Sequence, residues 1–313
     1  MTALRVEPDD PVVRSIFGTT DPDAIWAEVL TMCPEAVDCF AFRASVGALL
    51  GLVVRGGDRV ALKVHRTATA ERLAAVQDMQ EHLWLHGYPC PRPLGVRGRA
   101  TLEEWREDGA YRDAHVPEVR RALAQQLLRL TRLTRGLRAS IDLPPFLPRA
   151  DGPLWPEPHS VLFDFAATAA GAEWIDDIAR AAREVRDRDA GDTVVGHHDW
   201  TTAHVRFREL RATVVYDWDS LSIGAEPVFV GEAAAHFTYT EELPVEPWPS
   251  VDETFLFIDD YERSRNAPFT RAEQAAAGAA AVYGRAYTAR CFHATGGDVS
   301  VLSLPEYASA LLQ

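Results

Sequence analysis

The sequence predicts an α+β protein of two lobes, a small, mainly antiparallel-sheet N-terminal lobe and a larger helical C-terminal lobe. Three observations predict it. Apolar alternation around a glycine turn makes a hairpin of residues 46–65. Helical periodicity dominates from residue 117 onward. Between them the pattern breaks at Glu103, Glu104 and Trp105, which reads as a hinge. The expected division is 1–104 and 105–313.

Residues 11–32 read as helix, with Val12, Val13, Ile16, Phe17, Ile25, Trp26, Val29 and Leu30 as the apolar set. Residues 40–43 and 46–54 read as strand. The turn Arg55, Gly56, Gly57, Asp58 joins the latter to a strand over 59–65 that carries Lys63. Leu73, Val76, Met79 and Leu83 recur at three- and four-residue steps, so 68–86 is a helix that stops at Gly87. Pro89, Pro91 and Pro93 keep the next stretch extended. Residues 94–96 and 100–102 are two further strands.

Pro117 suits the first turn of a helix, and Val119, Leu123, Leu127, Leu130 and Leu133 form its stripe. The Pro-rich stretch 142–160 reads as loop and 163–187 as helix. Short strands are expected at 193–195, 204–207 and 212–216, then helices at 229–240, 252–265 and 271–293. Phe255 and Phe257 are expected in the core.

Composition narrows the function. The 32 cations against 46 acids give 32 − 46 = −14, which argues against nucleic-acid binding. No apolar window approaches the length of a membrane span; the alanine-rich run at 275–283 is too short. Glu7, Asp9 and Asp10 leave no room for the apolar core of a signal peptide, so none is expected. Cys33, Cys39, Cys90 and Cys291 lack metal or disulfide spacing and read as reduced, buried thiols of a cytoplasmic protein. Among the cations, Lys63 is the only lysine, and Asn266 is the only asparagine. A lysine kept where arginine has replaced all others is a candidate for chemistry.

Three segments form an ordered set: the strand lysine Lys63; His197, His198 and Asp199 leading to His204; and Asp217 with Trp218 and Asp219 after a strand. The separations are 199 − 63 = 136 and 217 − 199 = 18. Phosphoryl transfer uses a cation on the donor phosphates, an aspartate at the acceptor hydroxyl and a second aspartate on a metal ion. Each residue also has a plainer reading: Lys63 as a surface cation, Asp199 and Asp217 as turn residues, and Asp219 as a cap rather than a second ligand. His198 is expected to face solvent, and Trp105 and Trp218 to pack.

These segments resemble the aminoglycoside phosphotransferase family, relatives of protein kinases, over roughly residues 40–265. His197 and Asp199 match the catalytic-loop motif, and Asp217 with Trp218 matches the metal-binding pair. Tyr88, Pro89, Cys90 and Pro91 are similar to the family's connection after the first-lobe helix. The resemblance implies a protein-kinase-like fold and an ATP- or GTP-dependent O-phosphotransferase acting on a hydroxyl of a small molecule, an antibiotic or a metabolite. It implies Asp199 as catalytic base, Lys63 on the phosphates, and Glu103 and Trp105 in the hinge that presents backbone groups to the base. Asp217 would hold Mg²⁺, with His204 in place of the family's loop asparagine.

The departures are His204 for that asparagine, His198 for the loop glycine, and a phosphate-covering loop, 45–51, with glycines only at 47 and 51. The acidic partner of Lys63 is sought on the helix at Gln77 or Glu81. Acids at 241, 242, 246, 252, 253, 259 and 260 fall where relatives form the acceptor site, or are solvated faces. The competing reading is a non-catalytic pseudokinase that binds nucleotide or metabolite.

Overall fold

The computed structural model describes residues 4–137, 143, 152–188 and 191–312. The expected loop at 142–160 therefore lies partly outside the described residues. The chain forms two compact units: Met1–Arg106 with Pro158–Phe163, and Glu107–Glu157 with Asp164–Gln313. This is an α+β architecture, and the boundary falls two residues after the expected one.

The first unit begins with α1 (Pro11–Phe17) and α2 (Pro22–Met32). Asp10 and Asp21 accept hydrogen bonds from their first-turn amides, and each helix opens with proline. An antiparallel sheet follows, in the order β1 (Ala36–Ala44), β2 (Ala48–Val54), β3 (Arg59–Val64), β5 (Ala100–Glu104), β4 (Pro93–Arg97). Gly56 and Gly57, at φ 104° and 91°, make the β2–β3 turn that a side chain would strain.

Strand alternation sorts the two faces of this sheet. Val60, Leu62 and Val64 of β3 join Leu50, Leu52, Ala100 and Leu102 against Val13, Ile16, Ile25 and Val29 of α1 and α2. Each fully buried side chain of this kind contributes about 1.5–3 kcal/mol. Ala61 and Lys63 point to the other face, where α3 (Ala70–Leu85) packs. Thr69 caps α3 by accepting from Arg72 N.

The second unit holds α4 (Pro117–Thr134), α5 (Glu173–Arg186), β6 (Thr193–His197), β7 (Val205–Arg208), β8 (Arg211–Val215), β9 (Leu221–Ala225), α6 (Glu226–His236), α7 (Val251–Arg265), α8 (Arg271–Ala294) and α9 (Leu304–Leu311). β6 pairs with β9 and β7 with β8, both antiparallel. Residues 163–172, expected to be helical, are turns. Asp164 accepts from Ala167 N at 2.8 Å, and Gly171 sits at φ 84°, so the helix cannot start before them. β9 and α9 have no counterpart in the sequence reading. The helix expected at 229–240 is shifted to 226–236 and ends in a turn, closed by Tyr239 N donating to His236 O at 2.8 Å.

α6 and α8 approach closely. A Cβ on Gly231 would lie 2.0 Å from the Ala277 carbonyl oxygen, so only glycine fits. The alanine-rich run of α8 is buried in this contact. Among the described residues no helix is long and apolar enough to cross a membrane. All four cysteines are free and buried, as expected.

Candidate active site

Two short strand pairs assemble the site in the second unit. β6 ends at His197, opposite Leu221 of β9. The chain then runs through His198 and Asp199 into a 3₁₀ turn, Thr202–His204, and the β7–β8 hairpin returns it to Asp217. The hairpin bridges the 18-position separation of the two aspartates, so both ends meet.

His197 locks that meeting. It is fully buried. Its Nδ1 accepts from the Asp199 amide at 3.2 Å, and its Nε2–H donates to the Tyr216 carbonyl at 3.1 Å. Burial drives its pKa below the usual value and outweighs the nearby aspartates, so the ring is neutral and this tautomer is defined. Tyr216 N donates to His204 O at 2.9 Å and His198 N to Ser220 O at 3.0 Å, which closes the loop against the end of β8. Trp200 and Trp218 are buried with edge contacts to His197, and Trp218 Nε1–H donates to Val215 O at 3.0 Å. Trp218 packs as expected.

Asp217 is at φ 65°, ψ 48°, the left-handed region that a non-glycine residue enters at a cost. Ser220 donates its hydroxyl to Asp217 Oδ2 and its amide to Asp217 O, which holds the carboxylate in place. His204 Nε2–H donates to Asp199 Oδ2 at 2.9 Å. Partial loss of solvent around its carboxyl raises the Asp199 pKa, but the charge and hydrogen bond of His204 hold it well below the usual carboxylate range.

Ligand atoms of Asp199, His204 and Asp217 all lie within 4.8 Å of one another. Two ligands of one ion at 2.1–2.4 Å are at most about 4.2–4.8 Å apart, so a divalent cation fits this set. Asp219 lies in the first turn of the 3₁₀ helix Trp218–Ser220 and outside the group.

His198 differs from expectation. Its side chain is 7% exposed; Nδ1–H donates to Glu232 Oε2 at 2.6 Å, and Nε2 meets the Ser222 hydroxyl. The position that suits glycine in the motif here carries a ring bonded to α6. Gly196, one residue before the motif, makes room for Phe229, whose ring would sit 2.3 Å from a Cβ there. Glu232 is missed by the sequence reading. Its signal was an acid in the middle of a largely apolar helix, directly after Val228, Phe229, Val230, Gly231.

The loop that carries Asp199 also leans on the segment after α6. Thr202 N donates to Phe237 O at 2.9 Å and Ala203 N to Tyr239 O at 3.1 Å. Of the acids beyond it, Glu241, Glu242, Glu246 and Asp252 are exposed. Asp260 is buried and paired with Arg120 at 2.8 Å, and Glu253 caps α7 and accepts from His115. Phe257 is buried but Phe255 is 47% exposed, because α7 buries 254, 257, 258 and 261 and places 255 off that stripe.

In the first unit, Lys63 stands between Leu49 on β2 and Thr101 on β5, half-buried. The expected phosphate-covering loop is shorter than 45–51. β1 and β2 leave only residues 45–47 as turn, where Ser45 N donates to Gly47 O at 2.9 Å. Gly51 is inside β2, and its missing side chain accommodates the Phe40 ring, 2.6 Å from a would-be Cβ.

Trp105 sits edge-on to Phe40 at 4.9 Å, with the Arg59 guanidinium 3.9 Å from the Phe40 centroid. The Trp105 N–H donates to Arg59 O at 3.1 Å. A base could not take its hydrogen bond from that N–H without breaking the sheet contact. Glu103 is paired on both sides, with Ala61 and Pro93, so it belongs to the sheet rather than to a free hinge. Glu81 is exposed and Gln77 Oε1 accepts from Gly95 N at 3.0 Å, so neither α3 candidate is turned to Lys63 as a carboxylate.

Comparison with known proteins agrees with this architecture. The family described as the phosphotransferase enzyme family (APH) matches residues 51–225. No curated protein matches the sequence. Among solved structures, the chain is similar to an amicoumacin kinase in complex with AMP-PNP and Ca²⁺, at 12% identity and TM-score 0.62 over 93% of each chain. It is similar to a macrolide 2′-phosphotransferase from Brachybacterium faecium, at 14% identity and TM-score 0.54 over 93% of this chain and 98% of that one. It is also similar to a microcompartment-associated aminopropanol kinase, at 12% identity and TM-score 0.58 over 92% and 95%. At these identities the likeness is one of fold, the kinase-like fold.

Proposed function

The chain belongs to the phosphotransferase enzyme family, and from that premise we propose that it transfers the γ-phosphoryl group of ATP or GTP to a hydroxyl of a small molecule. The observation that carries the proposal is the convergence of Asp199, His204 and Asp217 within 4.8 Å. A weakened, non-catalytic site would have no need to hold Asp217 in a costly backbone conformation.

Each residue has a role in this reading. Asp199 is ionised and about half exposed, so it is available to orient the acceptor hydroxyl and take its proton. His197 fixes the backbone of Asp199 through a single tautomer. Asp217 and His204 would hold the divalent ion, Mg²⁺ in this reading, which supplies charge neutralisation at the phosphoryl group when bound. Lys63, a compact ammonium on a sheet, binds the donor phosphates as a point charge. Glu103, inside β5, and Trp105, just past its end, remain the proposed nucleotide-side residues, the Trp105 N–H excepted because it is bonded to Arg59 O.

The acceptors named for the similar structures, amicoumacin, a macrolide and aminopropanol, are the class we propose here: an antibiotic or a small metabolite. The exposed acids Glu241, Glu242 and Glu246 follow the segment bonded to the catalytic loop and favour a cationic acceptor. Four buried free thiols suit the reducing cytoplasm. The test is a screen of hydroxyl-bearing small molecules with ATP or GTP and Mg²⁺, read by mass. Appearance of a phosphorylated acceptor supports the reading. Nucleotide binding without any transfer across the panel contradicts it.

A further inference from the structure

A phosphate-binding lysine on a strand needs a carboxylate that holds its ammonium in place. Helix α3 does not supply one. Its acids, Glu71, Asp78 and Glu81, are all exposed, and the polar side chains it buries are the amides of Gln77 and Gln80. These amides form a chain. Gln77 Nε2–H donates to Gln80 Oε1 at 3.3 Å, and Gln80 Nε2–H donates to Glu103 Oε2 at 2.7 Å and to Pro91 O at 3.1 Å. The helix therefore grips a carboxylate that belongs to β5.

Strand register shows where that carboxylate stands. Lys63 is opposite Thr101, and Ala61 is opposite Glu103. Residues directly opposite share a sheet face, and so do residues two apart on one strand. Lys63 and Glu103 thus leave the same face as diagonal neighbours, about 7–8 Å apart, a span within reach of long side chains. The other cross-strand neighbours of Lys63 on that face are Leu49 and Gly51 on β2 and Thr101 on β5. Thr101 is engaged with His65 Nε2 at 3.1 Å. Of these neighbours Glu103 alone carries a carboxylate.

We infer that Glu103, held by Gln80, is the acidic partner that positions Lys63, so that a sheet carboxylate does here what a helical one would do. Glu103 is a positioning residue and acts through the lysine. Its purpose rests on the phosphotransferase reading, but its geometry does not.

Because Lys63 is the only lysine, its reactivity can be read without turnover. The folded protein is treated with an amine-acylating ester at fixed pH, and modification of the Lys63 peptide is followed by mass. Loss of a nearby carboxylate destabilises the ammonium and exposes more free amine. Glu103→Gln is expected to raise the rate about 3–10-fold, since one pKa unit is tenfold in free amine. Gln80→Leu should raise it less, and Glu81→Gln should leave it unchanged. Combining Gln80→Glu with Glu103→Gln returns a carboxylate from the helix side and should bring the rate back toward wild type. Should Glu103→Gln lose the fold, Glu103→Asp, which withdraws the carboxylate by one methylene, is expected to shift the rate in the same direction.

A Lys63 rate unmoved by the Glu103 substitution, or a double variant that reacts like Glu103→Gln alone, overturns the inference. A chain whose Lys63 responds as expected but which transfers no phosphoryl group would contradict the phosphotransferase reading alone.

Discussion

His204 Nε2 lies 2.9 Å from Asp199 Oδ2, so a proposed metal ligand touches the proposed base. With Asp217 they form one donor set of two carboxylates and an imidazole. The proposed base and one proposed metal ligand are therefore hydrogen-bonded to each other beside the second, and substitutions in the set should not act independently.

His204→Asn should retain metal-supported turnover within about tenfold, because an amide offers both an oxygen ligand and a donor to Asp199. His204→Ala offers neither and should weaken the apparent metal affinity about 10–100-fold. A Mg²⁺ titration of turnover reads both. Wild-type affinity in His204→Ala would remove this residue from the metal shell.

Asp217→Gly separates stability from chemistry. Glycine relieves a left-handed conformation that costs a non-glycine residue about 1–2 kcal/mol, while the Ser220 hydrogen bond is lost. Stability in urea should change by no more than about 1 kcal/mol, whereas phosphoryl transfer should fall to background. Retained transfer would show that Asp217 holds no essential ion.

The local structure of the candidate site was legible because it sits on local motifs. The sequence around Lys63, Asp199 and Asp217 carries its own strand and turn signals: Lys63 lies inside β3, and Asp199 and Asp217 each follow the end of a strand by two residues. What was hidden depends on partners distant in sequence. Glu232 becomes visible only when α6 lies against β6, and His198 looks exposed until that happens. The pairing of Gln80 with Glu103 spans 23 residues and needs the sheet register. β9 is a five-residue strand whose partner precedes it by more than twenty positions, so no local pattern marks it. The turns at 163–172 read as helix because alanine and threonine fit either state and only the Asp164 side chain decides.

His115 gives a pH prediction. Its Nδ1 is 2.6 Å from Glu253 Oε1 and its Nε2 is 2.8 Å from Glu246 O, two acceptors that call for an imidazolium. Burial works against the charge, yet the Glu246 carbonyl and the Glu253 carboxylate outweigh it and raise the pKa. A raised folded pKa stabilises fully below the unfolded value of about 6.5 and is lost as pH rises through the folded value. The stability difference between wild type and His115→Gln should be about 1.5–3 kcal/mol at pH 6 and should shrink in alkali. Urea unfolding across pH checks it; a difference that grows with pH contradicts it.

Arg120 and Asp260 join α4 to α7 through a buried ion pair at 2.8 Å, with side chains 6% and 2% exposed. Asp260→Ala strands a buried guanidinium and should cost about 3–5 kcal/mol. Adding Arg120→Leu should recover most of that loss. Denaturant midpoints of the two variants decide it; a double variant no more stable than Asp260→Ala would show that the charge is not the source of the loss.

The most direct measurement is the rate of phosphoryl transfer by Asp199→Asn against wild type, at saturating Mg²⁺ and nucleotide with an acceptor that wild type phosphorylates. The substitution keeps the shape and removes the proton acceptor, so nucleotide should still bind while transfer falls about 10²–10⁴-fold. Transfer at the wild-type rate by Asp199→Asn would contradict the account at its centre.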